Sequence, residues 1–273
     1  MDITTIGGLV LGFILLAVVM IMDGGSPAEL FSAPQAIVLT IGGAIIASII
    51  SYPMKSVKLI HQWFKVAVIS HAEEPFEVIE LLTRMADKAR REGLLALEEE
   101  SKKISDNFLR TGVMMVVDGT DPSQVRGILE IEIYHMQERH AQGINFFSAC
   151  GGYGPTMGII GTVMGLISVL QNLNDPGSLG PSISVAFIAT LYGVGMANAV
   201  LLPVANKLKL LSSEEQELRT MTLEGILAIQ AGDNPRVVAD KLLSFIPPDE
   251  RAAEGEEADN QPVSMPDPEP AAA

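Results

Sequence analysis

One cysteine, Cys150, stands among 273 residues, so neither a disulfide scaffold nor a cysteine-based metal site can be built from this chain. Positive charge is missing from two long stretches. Residues 1–52 and residues 146–206 contain no Lys or Arg; residues 53–145 hold 12 of the 18 and residues 207–273 hold the other 6. A soluble domain mixes charge along its length. This partition, with a positive mean hydropathy, belongs to a membrane protein. The net charge of −15 excludes a nucleic-acid binder held by phosphate contacts. No glycine loop ending in Lys-Ser or Lys-Thr is present to hold a nucleotide. The four histidines, His61, His71, His135 and His140, stand apart from any cysteine or carboxylate cluster with metal-ligand spacing. No catalytic residue, no metal ligand and no cofactor is assigned, and an energy-using role has to draw on an ion gradient.

What the sequence does have is four apolar runs. A helix needs ~20 apolar residues to cross ~30 Å of hydrocarbon. Ile3–Met22 meets that length without a charge, a shorter run follows at 36–52, and longer ones at 146–170 and 182–205. The first is not a secretory signal, because Asp2 stands where a basic leader would be. The connections 23–35 and 172–181 carry no Lys or Arg, whereas 53–145 and the C-terminal part carry all of it. The positive-inside rule then puts these two regions and the N-terminus in the cytoplasm. Asp175-Pro176-Gly177 reads as a tight turn joining spans three and four. The fold class is therefore an all-α membrane protein: four transmembrane helices, a helical cytoplasmic loop between the second and third, and a helical C-terminal segment. The division is 1–52 (spans one and two), 53–145 (cytoplasmic helices), 146–206 (spans three and four), 207–248 (C-terminal helices) and 249–273 (an acidic tail).

Within the cytoplasmic parts, Phe76, Ile79, Leu82 and Met85 recur at helical spacing, so 75–91 is an amphipathic helix. Gly93 breaks it and 94–104 is a further helix. Asp121-Pro122 is a helix start, and the helix 125–142 runs almost directly into the third span. After a helix to about Gln230, Asn234-Pro235 opens another that ends near Ile246. Beyond Pro247-Pro248 the composition turns to Glu, Asp, Pro and Ala, which cannot bury a core.

The third span carries Gly154, Gly158 and Thr162 at four-residue steps, with Gly161 and Gly165 one register over; the fourth carries Ala186, Thr190, Gly193 and Ala197. Small residues at this spacing let helix backbones approach closely. Pro155 and Pro203 interrupt the hydrogen-bond ladders of these helices, and each is either a fixed kink or a hinge. None of the four runs contains Asp, Glu, Lys, Arg or His. Intramembrane ionisable groups mark ion pathways, and this chain supplies none. Thr162 and Thr190 offer hydroxyls at mid-span depth, with Tyr192 and Asn198 nearby in sequence. A lone membrane threonine usually bonds back to its own helix; two that face each other can line a polar track. A cation on that track needs a carboxylate from another chain.

Four segments resemble the MotA/PomA family of bacterial flagellar stator subunits. They are Ala89-Arg90-Arg91-Glu92-Gly93 through Leu97-Glu98; Gly154-Pro155-Thr156-Met157-Gly158-Ile159-Ile160-Gly161-Thr162; Ala189-Thr190-Leu191-Tyr192-Gly193; and Glu224 through Pro235. Their order, with four runs and a long loop between the second and third, makes the likeness specific to about Pro248. The resemblance implies a homopentamer around a MotB- or PomB-type single-span partner whose Asp takes up the ion. It implies rotation driven by ion passage, and a loop that pushes the rotor switch protein FliG. It places the rotor contact at Arg90 and Glu98, with Arg91 adjoining, the proline positions at Pro155 and Pro203, and the membrane threonine at Thr190. On an unbroken helix Arg90 and Glu98 would lie about 80° apart, on one surface. Sodium-type relatives tend to carry a hydroxyl in the third span, where this chain has Thr162, so Na⁺ is favoured over H⁺ as the transported ion. The competing readings are an ExbB/TolQ-type energiser, which usually has three spans, a self-contained channel, and a membrane scaffold without ion traffic.

Overall fold

Three times among the described residues Asp or Asn stands before proline, and each time a helix starts. Asp121 accepts the Ser123 backbone N–H at 2.9 Å ahead of Pro122. Asp175 accepts that of Gly177 at 3.1 Å ahead of Pro176, and Asn234 that of Arg236 at 3.0 Å ahead of Pro235. The side-chain oxygen satisfies an N–H that has no partner inside the helix, and proline presets φ where its missing donor costs nothing.

The structure is a computed structural model that describes residues 3–69 and 74–251. Its elements are α1 (Ile3–Met22), a 3₁₀ turn (Pro27–Ser32), α2 (Pro34–Ile50, with a π-helical turn at Val38–Gly42), α3 (Met54–Val57) and α4 (Ile60–Val68). Then come α5 (Pro75–Glu92), a 3₁₀ turn (Leu94–Ala96), α6 (Leu97–Ser101), α7 (Asn107–Val117) and α8 (Pro122–Gln171). The last are α9 (Pro176–Ala231, with a π-helical turn at Ala197–Leu201) and α10 (Pro235–Leu243). There is no strand among the described residues. His71 and residues 252–273 of the acidic tail lie outside them.

Several local expectations change. Asp175-Pro176-Gly177 is the first turn of α9, not a connecting turn, because the Asp175 carboxylate caps the helix. The helix expected at 94–104 begins with a 3₁₀ turn and ends at Ser101. Asp106 caps α7 through the Leu109 N–H at 2.7 Å, which requires extended backbone (φ −71°, ψ 122°) where a longer helix would run on. Gly93 ends α5 at φ +89°, a region that L side chains avoid. The 80° estimate for Arg90 and Glu98 assumed one helix through Gly93, and it does not apply. The junction near 142–146 has no break, as α8 runs 50 residues.

The described residues form two units, one of 3–69 with 134–216 and one of 74–133 with 217–251. The second has a core of its own. Ile79, Leu82 and Met85 of α5 pack with Phe108, Val113 and Val116 of α7, Leu129 of α8, Met221 and Ile226 of α9, and Val238 and Leu242 of α10. Charged groups ring it. Arg126 and Lys241 both reach the Glu224 carboxylate, at 2.7 and 2.6 Å, and Arg219 pairs with Asp106 while lying over the Phe108 ring. Burial alone would raise the Glu224 pKa, but the hydrogen bonds from Lys241 and Arg126 hold it below the ordinary carboxylate value.

In the first unit, α4 lies on α8 and α9 through Trp63, Ala67, Phe146, Phe147, Cys150 and Leu201. Phe146 sits 5.5 Å from the Tyr52 ring and 6.1 Å from Trp63. Ala33 and Ala36 pack against Ile188 and Ala189. Much apolar surface remains uncovered: Leu11, Phe13 and Leu15 of α1 are each more than 60 % exposed, as is Phe187 of α9. A helix that is apolar on every side is stable in lipid or inside an assembly. Two helices, α8 and α9, are long and apolar enough to cross a membrane; α2 is shorter.

Candidate functional site

The site grows from glycines. Gly154, Gly158, Gly161 and Gly165 of α8 are buried against Ala186, Ala189, Gly193 and Ala197 of α9. A methyl group on Gly193 would lie 2.6 Å from the Gly154 carbonyl oxygen, and one on Gly154 would lie 2.8 Å from the Gly193 carbonyl oxygen. Backbone meets backbone here, so neither position has room for a side chain.

That proximity brings together Thr162 and Thr190. Their hydroxyl oxygens are hydrogen-bonded to each other across the helix pair. The Thr162 hydroxyl also lies 3.1 Å from the Gly158 carbonyl of its own helix and 3.2 Å from the Ala186 carbonyl of the facing one. Two hydroxyls carry two protons and four lone pairs. Once one proton serves the shared bond, lone pairs remain on a half-buried cluster of neutral oxygens. Such a cluster suits a hard cation, by extension from the oxygen preference of Ca²⁺ and Mg²⁺. No charge balances the cation within the cluster. Among the described residues no group of three His, Cys, Asp or Glu side chains is placed to hold a metal ion.

The other polar residues of these helices are engaged elsewhere. The exposed Asn198 donates to the Val194 carbonyl of its own helix at 2.9 Å. Tyr192 donates to the Leu30 carbonyl at 3.1 Å, fastening the 27–32 turn to α9. Two further buried hydroxyls lie on α2: Thr40 donates to the Ala36 carbonyl at 2.8 Å and Ser48 to the Ala44 carbonyl at 2.9 Å. Sequence reading passed over both, and also over the Ala186 carbonyl, whose availability only the facing helix reveals.

The two prolines are accommodated differently. The half-buried Pro155 sits inside α8, which continues through it. Pro203 is exposed and follows the π-helical turn of α9, where the Leu202 N–H reaches back to the Ala197 carbonyl. Widening the turn just before the proline relieves its clash with the preceding carbonyl.

Arg90, Arg91 and Glu98 flank the Gly93 turn in the other unit, and all are exposed. Arg91 pairs with Asp87 at 3.0 Å and Glu98 with Lys102 at 3.1 Å. Arg90 has no ion pair among the described residues. The turn is braced from within by Lys88 and Glu100 at 2.8 Å. That hydrogen bond, with a second from Lys103, holds the Glu100 carboxyl below its ordinary pKa. The corner therefore offers a fixed frame with charges on its outer side.

A family model described as the MotA/TolQ/ExbB proton channel family matches residues 100–221. Motility protein A of Treponema phagedenis is 43 % identical over 237 residues, covering 85 % of this chain and 90 % of the relative. Among solved structures, C. jejuni MotAB aligns with a TM-score of 0.87 at 32 % identity, over 91 % of this chain and 97 % of that one. The flagellar MotAB stator complex of Bacillus subtilis aligns with a TM-score of 0.85 at 37 % identity, over 92 % and 98 %. With likeness of this extent in sequence and backbone, the chain belongs to the motility protein A branch of the MotA/TolQ/ExbB proton channel family.

Proposed function

We propose that the chain is a subunit of a flagellar stator, which couples cation flow across the cell membrane to torque on the rotor. The carrying observation is the Thr162–Thr190 hydroxyl pair, held between two spans, 146–170 and 182–205, that contain no Asp, Glu, Lys, Arg or His. Neutral oxygens can pass a cation along but cannot take one up alone. The uptake group is the Asp of a MotB- or PomB-type single-span partner, in keeping with the MotAB complexes that this fold matches. The homopentameric assembly is the one the family resemblance implies.

In this reading α1, α2, 146–170 of α8 and 182–205 of α9 are the four spans, and both termini are cytoplasmic. Positive charge confined to the segments between and after the span pairs supports that orientation. Pro155 and Pro203 are the points where the inner helices flex as the ion passes. Arg90, Arg91 and Glu98 press on the rotor protein FliG. Exposed ion pairs are worth ~0–1 kcal/mol each, which suits a contact made and broken at every step. The transported ion is Na⁺ in preference to H⁺, because hydroxyl and carbonyl oxygens coordinate a hard cation, whereas H⁺ needs only the partner's carboxylate. The deciding experiment is swimming speed against sodium concentration at fixed pH, with a proton uncoupler as control. Speed should rise with sodium and survive the uncoupler; speed independent of sodium would assign the ion as H⁺.

A further inference from the structure

The segment that follows α2 carries charge in an unusual state. From Leu30 to Ala72 the sequence contains no Asp or Glu, yet Lys55, Lys58 and Lys65 fall within it. All three are exposed, and none has a carboxylate partner among the described residues. The lysines of the other unit differ. Lys88, Lys102, Lys103 and Lys241 each hold a carboxylate.

The helix carrying Lys65 is also fixed in rotation. Trp63 and Ala67 of α4 face α8, where Trp63 fills the space beside Gly143; a methyl there would lie 2.9 Å from the indole. In the preceding turn, Ser56 donates to the Gln142 side chain at 3.1 Å. At about 100° per residue, Lys65 and His61 lie on the side of α4 opposite Trp63 and Ala67. Phe64 and Val66 are 43 % and 50 % exposed on its two flanks. The result is an anchored helix that carries Lys65 between exposed apolar residues, with Lys55 and Lys58 in the short segment that joins it to the apolar run at 36–52.

We propose that residues 54–69 form a docking surface for anionic phospholipid headgroups. The lysines meet the headgroups while Phe64, Val66 and Leu59 reach toward the acyl boundary. The positive-inside rule accounts for basic residues in such a segment. It does not require them to be unpaired, nor to be framed by exposed apolar side chains. A lipid surface matches the charge and covers the apolar side chains. The proposal rests on the reading that the chain spans a membrane.

The chain has one tryptophan, Trp63, and it sits on this helix, so its fluorescence reports the site. The full-length chain is reconstituted in phosphatidylcholine vesicles containing equal fractions of brominated phosphatidylglycerol or brominated phosphatidylcholine. The expected result is roughly two-fold stronger Trp63 quenching by the anionic lipid, weakened at high salt. A Lys55→Gln/Lys58→Gln/Lys65→Gln variant, with an unchanged Trp63 emission maximum, should lose the preference. Equal quenching of the wild type by both lipids, or an undiminished preference in the variant, would overturn the lipid proposal alone. No quenching by either lipid would overturn the docking proposal and leave the membrane-spanning reading standing, since the four spans lie outside residues 54–69.

Discussion

The Thr162 and Thr190 hydroxyls are hydrogen-bonded to each other although 28 residues separate them in sequence. Each sits one turn from a backbone contact of the seam: Gly158, where a methyl would meet the Ala189 carbonyl oxygen at 3.1 Å, precedes Thr162 by four residues, and Gly193, where it would meet the Gly154 carbonyl oxygen at 2.6 Å, follows Thr190 by three. The glycine seam sets the distance between the helices, and that distance sets the contact between the hydroxyls. Four outcomes test this arrangement and the parts around it.

Adding one methyl at Gly193 has to push the helices apart. The added carbon would sit 2.6 Å from the Gly154 carbonyl oxygen, and backbone cannot swing aside. Gly193→Ala should cost about 1–3 kcal/mol and abolish swimming by separating Thr162 from Thr190. Gly195→Ala, where nothing lies within 4 Å, should leave swimming and membrane protein levels unchanged. Soft-agar motility with immunoblotting of membranes checks both.

The hydroxyls should matter as oxygens, not as volume. Thr162→Ser keeps the donor and acceptors; Thr162→Val keeps the shape and loses them. Swimming and sodium dependence should persist in the serine variant and fall at least ten-fold in the valine variant, with equal protein in the membrane. The same split is expected at Thr190. Full motility of the valine variants would reduce the pair to a packing contact.

Glu224 makes the stability of its unit depend on acid. Its folded pKa is held below the ordinary value of 4.5. The Lys241 and Arg126 bonds therefore contribute stability that is fully present above about pH 4.5 and is lost as pH falls through the folded pKa. Glu224→Gln should lower the unfolding free energy of the detergent-solubilised chain by on the order of 1 kcal/mol at pH 7. That difference should shrink as pH drops toward 3. Thermal unfolding by circular dichroism at both pH values measures it.

Charge reversal at the Gly93 corner should uncouple motility from stability. Arg90→Glu and Glu98→Lys alter exposed side chains outside the Leu82 core, so unfolding should shift by less than about 1 kcal/mol. Swimming should be impaired by each without loss of membrane protein. Wild-type swimming by the double reversal, with an unaltered rotor, would contradict the contact assigned to this corner.

Local signals carried much of this structure into the sequence. Asp121-Pro122 and Asn234-Pro235 announce helix starts because the side chain and the ring act within three residues. Gly93 announces a stop because its backbone needs positive φ. The small residues at 154, 158, 161 and 165 announce close packing because their spacing is that of one helix face. What stayed hidden depends on partners far along the chain. Asp175-Pro176-Gly177 spells both a turn and a capped helix, and only the helix that follows decides. The Ala186 carbonyl is an ordinary helical acceptor until Thr162 approaches it from α8. That Lys55, Lys58 and Lys65 have no carboxylate partner among the described residues cannot be read from composition either, since carboxylates elsewhere in the chain were free to fold against them.

The central claim is that the oxygen-lined spans 146–170 and 182–205, which hold no Asp, Glu, Lys, Arg or His, form only half of an ion path. Cation flux through vesicles reconstituted with this chain alone, compared with vesicles holding the chain and the proposed Asp-bearing partner, measures it most directly. The account predicts that a sodium or proton gradient persists with the chain alone and dissipates only when the partner is present. Dissipation of either gradient by this chain alone would contradict it.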